Sequence, residues 1–229
     1  MKICHVINSL SGGGAETHLL DLVHAQKNQG HSVTVISTGP DKKNMKSLEQ
    51  EFKDVSDNVL RLYFPRLFNF YSYIKFFKNL KDEQYDIVHT HQPRSDFMFF
   101  ILKSLTGIKA KWIVSIHGKY DTYLEGNILF DKIRKLFMPL LVNIWNNSNQ
   151  KICISEEVKN WLSTYKIKSN ISVVNYWINK NKLENLKENK DCINIGFMGR
   201  VNKNKGIEDL LDVYENLNKD RYNLFIAGS

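Results

Sequence analysis

Ser9-Leu10-Ser11-Gly12-Gly13-Gly14-Ala15-Glu16-Thr17 is the stretch whose reading decides the fold. It follows a short apolar run, Lys2-Ile3-Cys4-His5-Val6-Ile7-Asn8, and opens a segment in which Leu19, Leu20, Leu22 and Val23 recur at helical spacing. The order is strand, glycine turn, helix. Glycines let the backbone approach a ligand, and a helix N-terminus presents unpaired N–H groups that favour phosphate. A tight strand-to-helix turn with no ligand accounts for the stretch equally well. The usual dinucleotide fingerprint does not fit: Thr17 stands where G-x-G-x-x-G places its last glycine, and the second strand (32–37) runs into Thr38-Gly39-Pro40 without a carboxylate. No G-K-[ST] follows, which excludes a Walker loop.

Working outward, strand-like runs at 2–8, 32–37, 59–63, 86–90, 111–116, 151–154 and 171–174 alternate with helical patterns near 14–29, 69–81, 94–106, 128–147 and 155–165. This alternation predicts an α/β fold, a Rossmann-like parallel sheet flanked by helices, over residues 1–178. A polar stretch at 179–191 reads as a linker. Residues 192–229 carry strand, basic loop, helix and strand, the start of a second Rossmann-like unit that is incomplete, because one crossover cannot cover both faces of its strands.

Composition narrows the class. Of 229 residues, 42% are hydrophobic and 12% aromatic, ample for a core, and 32 basic against 24 acidic side chains give a net charge of +8. That excess suits either a solvated surface or an anionic substrate or membrane face; nothing in it points to nucleic acid. Cys4, Cys153 and Cys192 are far apart and read as thiols of a reducing compartment. With no signal peptide and no apolar run of spanning length, the expectation is a cytoplasmic protein, with the inner face of the cell membrane open to it.

Ligands of open parallel sheets bind at the carboxyl ends of the strands. Those ends carry Val88-His89-Thr90-His91-Gln92-Pro93, Ser115-Ile116-His117-Gly118 and Cys153-Ile154-Ser155-Glu156-Glu157. Spacing of two puts His89 and His91 on one side of their strand. With His117 they form a candidate site beside the glycine loop, whereas His5, His18, His24 and His31 read as structural. The three are also conceivable metal ligands, yet no carboxylate or thiolate accompanies them at ligand spacing, so no metal is expected. Ser155 reads as a helix N-cap and not as a nucleophile. A second glycine-to-basic-loop transition, Gly199-Arg200-Val201-Asn202-Lys203-Asn204-Lys205-Gly206, offers a guanidinium fork and a point charge, a pair suited to a diphosphate.

Ser11-Gly12-Gly13-Gly14-Ala15-Glu16, Val88-His89-Thr90-His91, Ile116-His117-Gly118, Ile154-Ser155-Glu156-Glu157 and Gly199–Gly206 occur in family order, and together they closely resemble the family-4 retaining glycosyltransferases of GT-B fold. The resemblance implies an acceptor-side N-terminal domain and a donor-side C-terminal one. It implies that Gly13 and Gly14 approach the diphosphate of a nucleotide-sugar donor, that His117 contacts the transferred sugar, and that Arg200 and Lys205 neutralise the leaving diphosphate without a metal or other cofactor. Glu16, His89, His91 and Ser155 fall on the acceptor side or in the cleft. The implied reaction is transfer with retention to a glycan or lipid-linked acceptor, in bacterial surface polysaccharide synthesis.

Two departures accompany the likeness. Asn175-Tyr176-Trp177 stands where members often read Pro-Asn-Gly, and the family's pair of donor-holding carboxylates has no counterpart before Ser229. The chain by itself is therefore expected to be inactive. An alternative is the non-catalytic, acceptor- or partner-binding half of a split enzyme, working with a complementary C-terminal half. A sugar-nucleotide epimerase competes weakly, since its glutamate-rich site has no counterpart here. Finally, residues 63–81 mix aromatics with Lys75, Lys78 and Lys81, which suits an anionic bilayer surface. The plainer reading puts Ile74, Phe77 and Leu80 in the core and leaves the lysines solvated.

Overall fold

The computed structural model describes residues 1–43, 45–62, 70–121, 128–168, 170–177, 192–199, 201 and 205–228, with the side chains of 128–131, 133 and 134 outside that description. The chain divides into two compact units, Met1–Ile178 and Asn179–Ser229. In the first, β1 (Lys2–Ile7), β2 (Ser32–Ser37), β3 (Asn58–Arg61), β4 (Ile87–His91), β5 (Lys111–Ile116), β6 (Gln150–Cys153) and β7 (Ile171–Val173) alternate with six helices. These are α1 (Gly14–Asn28), α2 (Glu49–Val55), α3 (Phe70–Glu83), α4 (Pro93–Thr106), α5 (Ile128–Asn146) and α6 (Glu156–Ser163). Every strand pairing is parallel, in the order β3-β2-β1-β4-β5-β6-β7. The α/β, Rossmann-like expectation holds.

Parallel strands between two helical layers must be apolar on both sides, and β1 and β2 are each buried at five of six positions. One side of the sheet packs Cys4, Val6, Ile36, Val88, Trp112, Val114 and Ile116 against Phe76, Phe99, Met138 and Trp145 of α3, α4 and α5. The other packs Ile7, Val33 and Val35 against Leu19 and Val23 of α1 and Phe52 of α2. Cys4 and Cys153 are free, buried thiols. Helix α2 was not expected; it is only seven residues long and buries Phe52 alone, too little apolar repetition to stand out.

A polar network ties the first core together. The Trp112 indole donates to Thr90 Oγ1 (2.9 Å), Thr90 Oγ1 donates to Asp96 Oδ1 (2.6 Å), and the Trp145 indole donates to Asp96 Oδ2 (2.9 Å), so β4, β5, α4 and α5 share one buried carboxyl. Burial pushes Asp96 up to about 7.

Helix α3 buries Ser72, Phe76 and Leu80. Its core stripe is displaced from the expected one: Ile74 is 49% exposed, next to Phe70 at 78% and Tyr71 at 75%. Residues 63–69 lie outside the described residues. In the second unit β8 (Ile193–Met198) and β9 (Tyr222–Ala227) form a parallel pair joined through α7 (Ile207–Glu215). Ile193, Met198, Phe225 and Ile226 on these strands are exposed. The linker expected at 179–191 lies outside the described residues, as does Arg200.

Asp96→Asn keeps an acceptor for Thr90 but turns an NH2 against the Trp145 N–H, so unfolding free energy should fall by about 1–3 kcal/mol at pH 5. A carboxyl with a raised folded-state pKa contributes stability that is fully present below the ordinary carboxyl range and lost as pH rises through about 7. The gap between wild type and variant in urea titrations should therefore narrow from pH 5 to pH 8.5. A gap that does not change with pH contradicts this account of Asp96.

Candidate functional site

Because β1 lies between β2 and β4, and β5 lies beyond β4, the loops leaving β1, β4 and β5 emerge side by side. The loop after β1 is held down by its neighbours. Asp41 accepts from the Leu10 N–H (2.9 Å), the Ser47 hydroxyl (2.7 Å) and Arg61 Nη2 (2.8 Å), while the Gly12 N–H donates to the Lys46 carbonyl (2.8 Å). The Arg61 partnership holds the Asp41 carboxyl below the usual range against its desolvation.

The structure divides the two candidate glycines. Gly13 is the N-cap of α1; its N–H donates to the Ser11 carbonyl (2.7 Å), and a Cβ there would collide with Glu16 Oε2. Glu16 itself is buried and accepts from the Ser9 hydroxyl (3.2 Å). Gly13 thus makes room for a protein carboxylate. Gly14 begins the helix, is exposed, and among the described residues has nothing within 4 Å of its missing Cβ. The first N–H groups of a helix have no intrahelical partner, so the open part of the loop is at Gly14.

Beside the loop runs a line of imidazoles. Register pairs His5 with His89, and His91 with Ser115, so all four side chains face α1. His5 Nε2 meets Gln26 Oε1 (2.7 Å), and His5 Nδ1 meets His91 Nε2 (3.0 Å). His91 Nδ1 meets His117 Nε2 (3.3 Å), and His117 Nδ1 meets the Tyr176 hydroxyl (2.5 Å). His89 bonds the Ser115 hydroxyl (2.8 Å). His117 is further fixed by its backbone N–H, which donates to the Tyr120 hydroxyl (3.1 Å). Desolvation lowers the pKa of every ring, to about 4 for His5 and His117 and well below the ordinary value for His89 and His91. The whole line is neutral at pH 7.

His89 and His91, expected at the cleft, are instead buried within the first unit, because inward-facing side chains of a central strand are covered by α1. His117, one strand further and past the end of β5, is half-buried. Ser155 is the N-cap of α6, accepting from the Val158 N–H (3.2 Å). Lys205 is exposed, one residue before the left-handed N-cap Gly206 of α7. Among the described residues the group spaced to hold a metal is His5, His89 and His91, with ligand atoms within 4.8 Å of one another, and not the trio with His117. Its His5 Nδ1, His91 Nε2 and His89 Nε2 are engaged in the hydrogen bonds above.

Sequence reasoning missed several residues. His5 and Gln26 complete the buried line. His18 stacks on Tyr176 (4.2 Å between centroids) and meets the edge of Trp177 (4.4 Å). The departure at Asn175-Tyr176-Trp177 thus folds back on α1 and on His117. Gln92, the residue between β4 and α4, has a left-handed φ of 88°, and Asn8 Oδ1, Gln92 Oε1 and His18 Nδ1 are buried without hydrogen-bond partners among the described residues. Strained backbone and unpaired polar atoms gather at functional sites.

The family model described as Glycosyltransferase Family 4 matches residues 12–182. The chain belongs to that family. An uncharacterized glycosyltransferase of Methanocaldococcus jannaschii is 26% identical, over 91% of this chain and 57% of that protein. Anabaena Alr3699/HepE, solved in complex with UDP-glucose, is similar with a TM-score of 0.75 at 14% identity, covering 99% of this chain and 60% of its own. Sucrose-phosphate synthase from Thermosynechococcus elongatus is similar with a TM-score of 0.72 at 17% identity, covering 100% and 63%. At these identities the two structures share the fold, and the family-4 chain described here spans about three fifths of its relatives' length.

Proposed function

We propose that this family-4 chain is the acceptor-side part of a glycosyltransferase that moves a sugar from a nucleotide-sugar donor to a glycan or lipid-linked acceptor with retention of configuration. One observation carries the reading: in a chain of this family, an open helix N-terminus at Gly14 and a neutral imidazole at His117 follow β1 and β5, two strands separated by β4 alone, at the carboxyl edge of one sheet. His117 contacts the transferred sugar. Gly14 admits the diphosphate, with Gly13 shaping the turn, and Arg200 and Lys205 neutralise the leaving group, so that cations and backbone amides take the place of a metal. Asn8 and Gln92 offer polar atoms to the acceptor. Anabaena Alr3699/HepE binds UDP-glucose, which makes a UDP-sugar the first donor to try.

Turnover requires a complementary C-terminal half that covers the exposed apolar residues of β8 and β9. Radiolabelled sugar transfer to a lipid extract, with UDP-glucose first among the donors, should be absent with the 229-residue chain alone and appear when that half is supplied. In the completed enzyme His117→Ala and Gly14→Ala should each lower turnover at least tenfold. Gly14→Ala should leave stability within about 0.5 kcal/mol, because nothing crowds the added methyl. Turnover by the chain alone, or full turnover by His117→Ala, contradicts the proposal.

A lipid-linked acceptor would also bring the protein to a membrane surface. No helix among the described residues is long and apolar enough to cross a membrane. The solvent side of α3 shows Phe70, Tyr71 and Ile74 with Lys75, Lys78 and Lys81, and α5, on the same side of the sheet, shows Leu136, Phe137 and Leu140 with Lys135. Aromatic and aliphatic side chains among lysines suit the interface of an anionic bilayer. Flotation should show binding to vesicles containing anionic lipid that weakens when the three α3 lysines become glutamate. Equal flotation on zwitterionic vesicles, or none at all, rules this surface out.

A further inference from the structure

A neutral imidazole carries one N–H and one lone pair, so in a chain of such rings the direction of the first hydrogen bond dictates all the others. At the inner end here is Gln26 Oε1, an atom that only accepts. His5 must therefore donate through Nε2, which leaves its Nδ1 to accept from His91 Nε2. His91 Nδ1 in turn accepts from His117 Nε2, and the remaining lone pair lies on His117 Nδ1. There it receives the Tyr176 hydroxyl, a group able to donate or accept and so unable to impose a direction. The line runs from helix α1 across β1 and β4 to the end of β5.

We propose that Gln26 is a positioning residue for His117: acting through His5 and His91, it holds His117 in the Nε2–H form, so that the ring presents an acceptor, and not a donor, to a hydroxyl at the carboxyl edge of the sheet. That hydroxyl is Tyr176's in this structure, and a hydroxyl of the sugar ligand takes its place. Only this last step rests on the function proposed above. The same residues explain why a partly exposed helical glutamine is aimed into a sheet of histidines. Ring polarity is set from inside the protein, before any ligand arrives.

Long-range proton–nitrogen NMR spectra of the histidine-labelled full chain at pH 7.5 read the tautomer of each ring. His117 should be wholly Nε2–H in the wild type. Gln26→Glu, whose carboxylate only accepts, should leave it so, and Tyr176→Phe should leave it so, since Tyr176 does not set the direction. Gln26→Leu should turn His117 into a mixture of Nε2–H and Nδ1–H forms while circular dichroism is unchanged. A wild-type His117 protonated on Nδ1, or an Nε2–H form that survives Gln26→Leu in a folded chain, overturns the proposal. So does Tyr176→Phe shifting the tautomer, or zinc bound by His5, His89 and His91 in the purified protein, which would take the nitrogens of the line. These outcomes are read without substrate, so failure here is distinct from failure of the transfer assay.

Discussion

A buried imidazole without partners on both nitrogens is costly, and that constraint governs this molecule's centre. His5, His89 and His91 sit where a parallel sheet normally holds valine or isoleucine. Each is desolvated and neutral; His5 and His91 are bonded through both ring nitrogens, and His89 through Nε2 to Ser115. Removing one partner from such a network leaves the next ring unsatisfied, at a cost of about 1–3 kcal/mol. The position of α1 over β1 and β4, the seating of the glycine loop that begins α1, and the orientation of His117 are thereby coupled.

Sheet order converts this line into a site. The chain reverses direction across the sheet after β3, returning to the far side of β1, so the loops after β1 and β4 diverge and leave room between them. Into that neighbourhood come the open N-terminus at Gly14, the left-handed Gln92, His117, and the returning Tyr176-Trp177 segment. On the opposite side of the sheet, the Thr90–Asp96–Trp145 network keeps α4 and α5 in place beneath the same strand ends. The two faces of β4 thus carry alternating polar side chains, Thr90 to one network and His89 and His91 to the other.

Much of this was legible in the chain itself. Strand-length apolar runs and helical repeats marked the seven strands and five of the six helices of the first unit, and motifs at strand ends marked His117 and the glycine loop. What periodicity does not carry is register. That His5 stands opposite His89 depends on which strands pair and by what offset, and a one-residue slip would turn every side chain to the other face. Gln26 belongs to the line only because α1 crosses β1 at a particular height. The role of Gly13 was likewise hidden, since the atom that fills the space of its missing side chain is the carboxylate of Glu16 three residues on. Short α2, with Phe52 as its single buried residue, lacked a repeat to recognise.

The central claim is that His117 enters the site as a neutral ring held by buried neighbours. The most direct test is an NMR pH titration of its ring resonances in the folded chain from pH 8 to pH 4. Desolvation, with the nearby His18 adding to it, should keep His117 neutral down to about pH 4. A midpoint in the ordinary histidine range near 6.5 would show a ring open to water and unattached to the line, and would contradict the account.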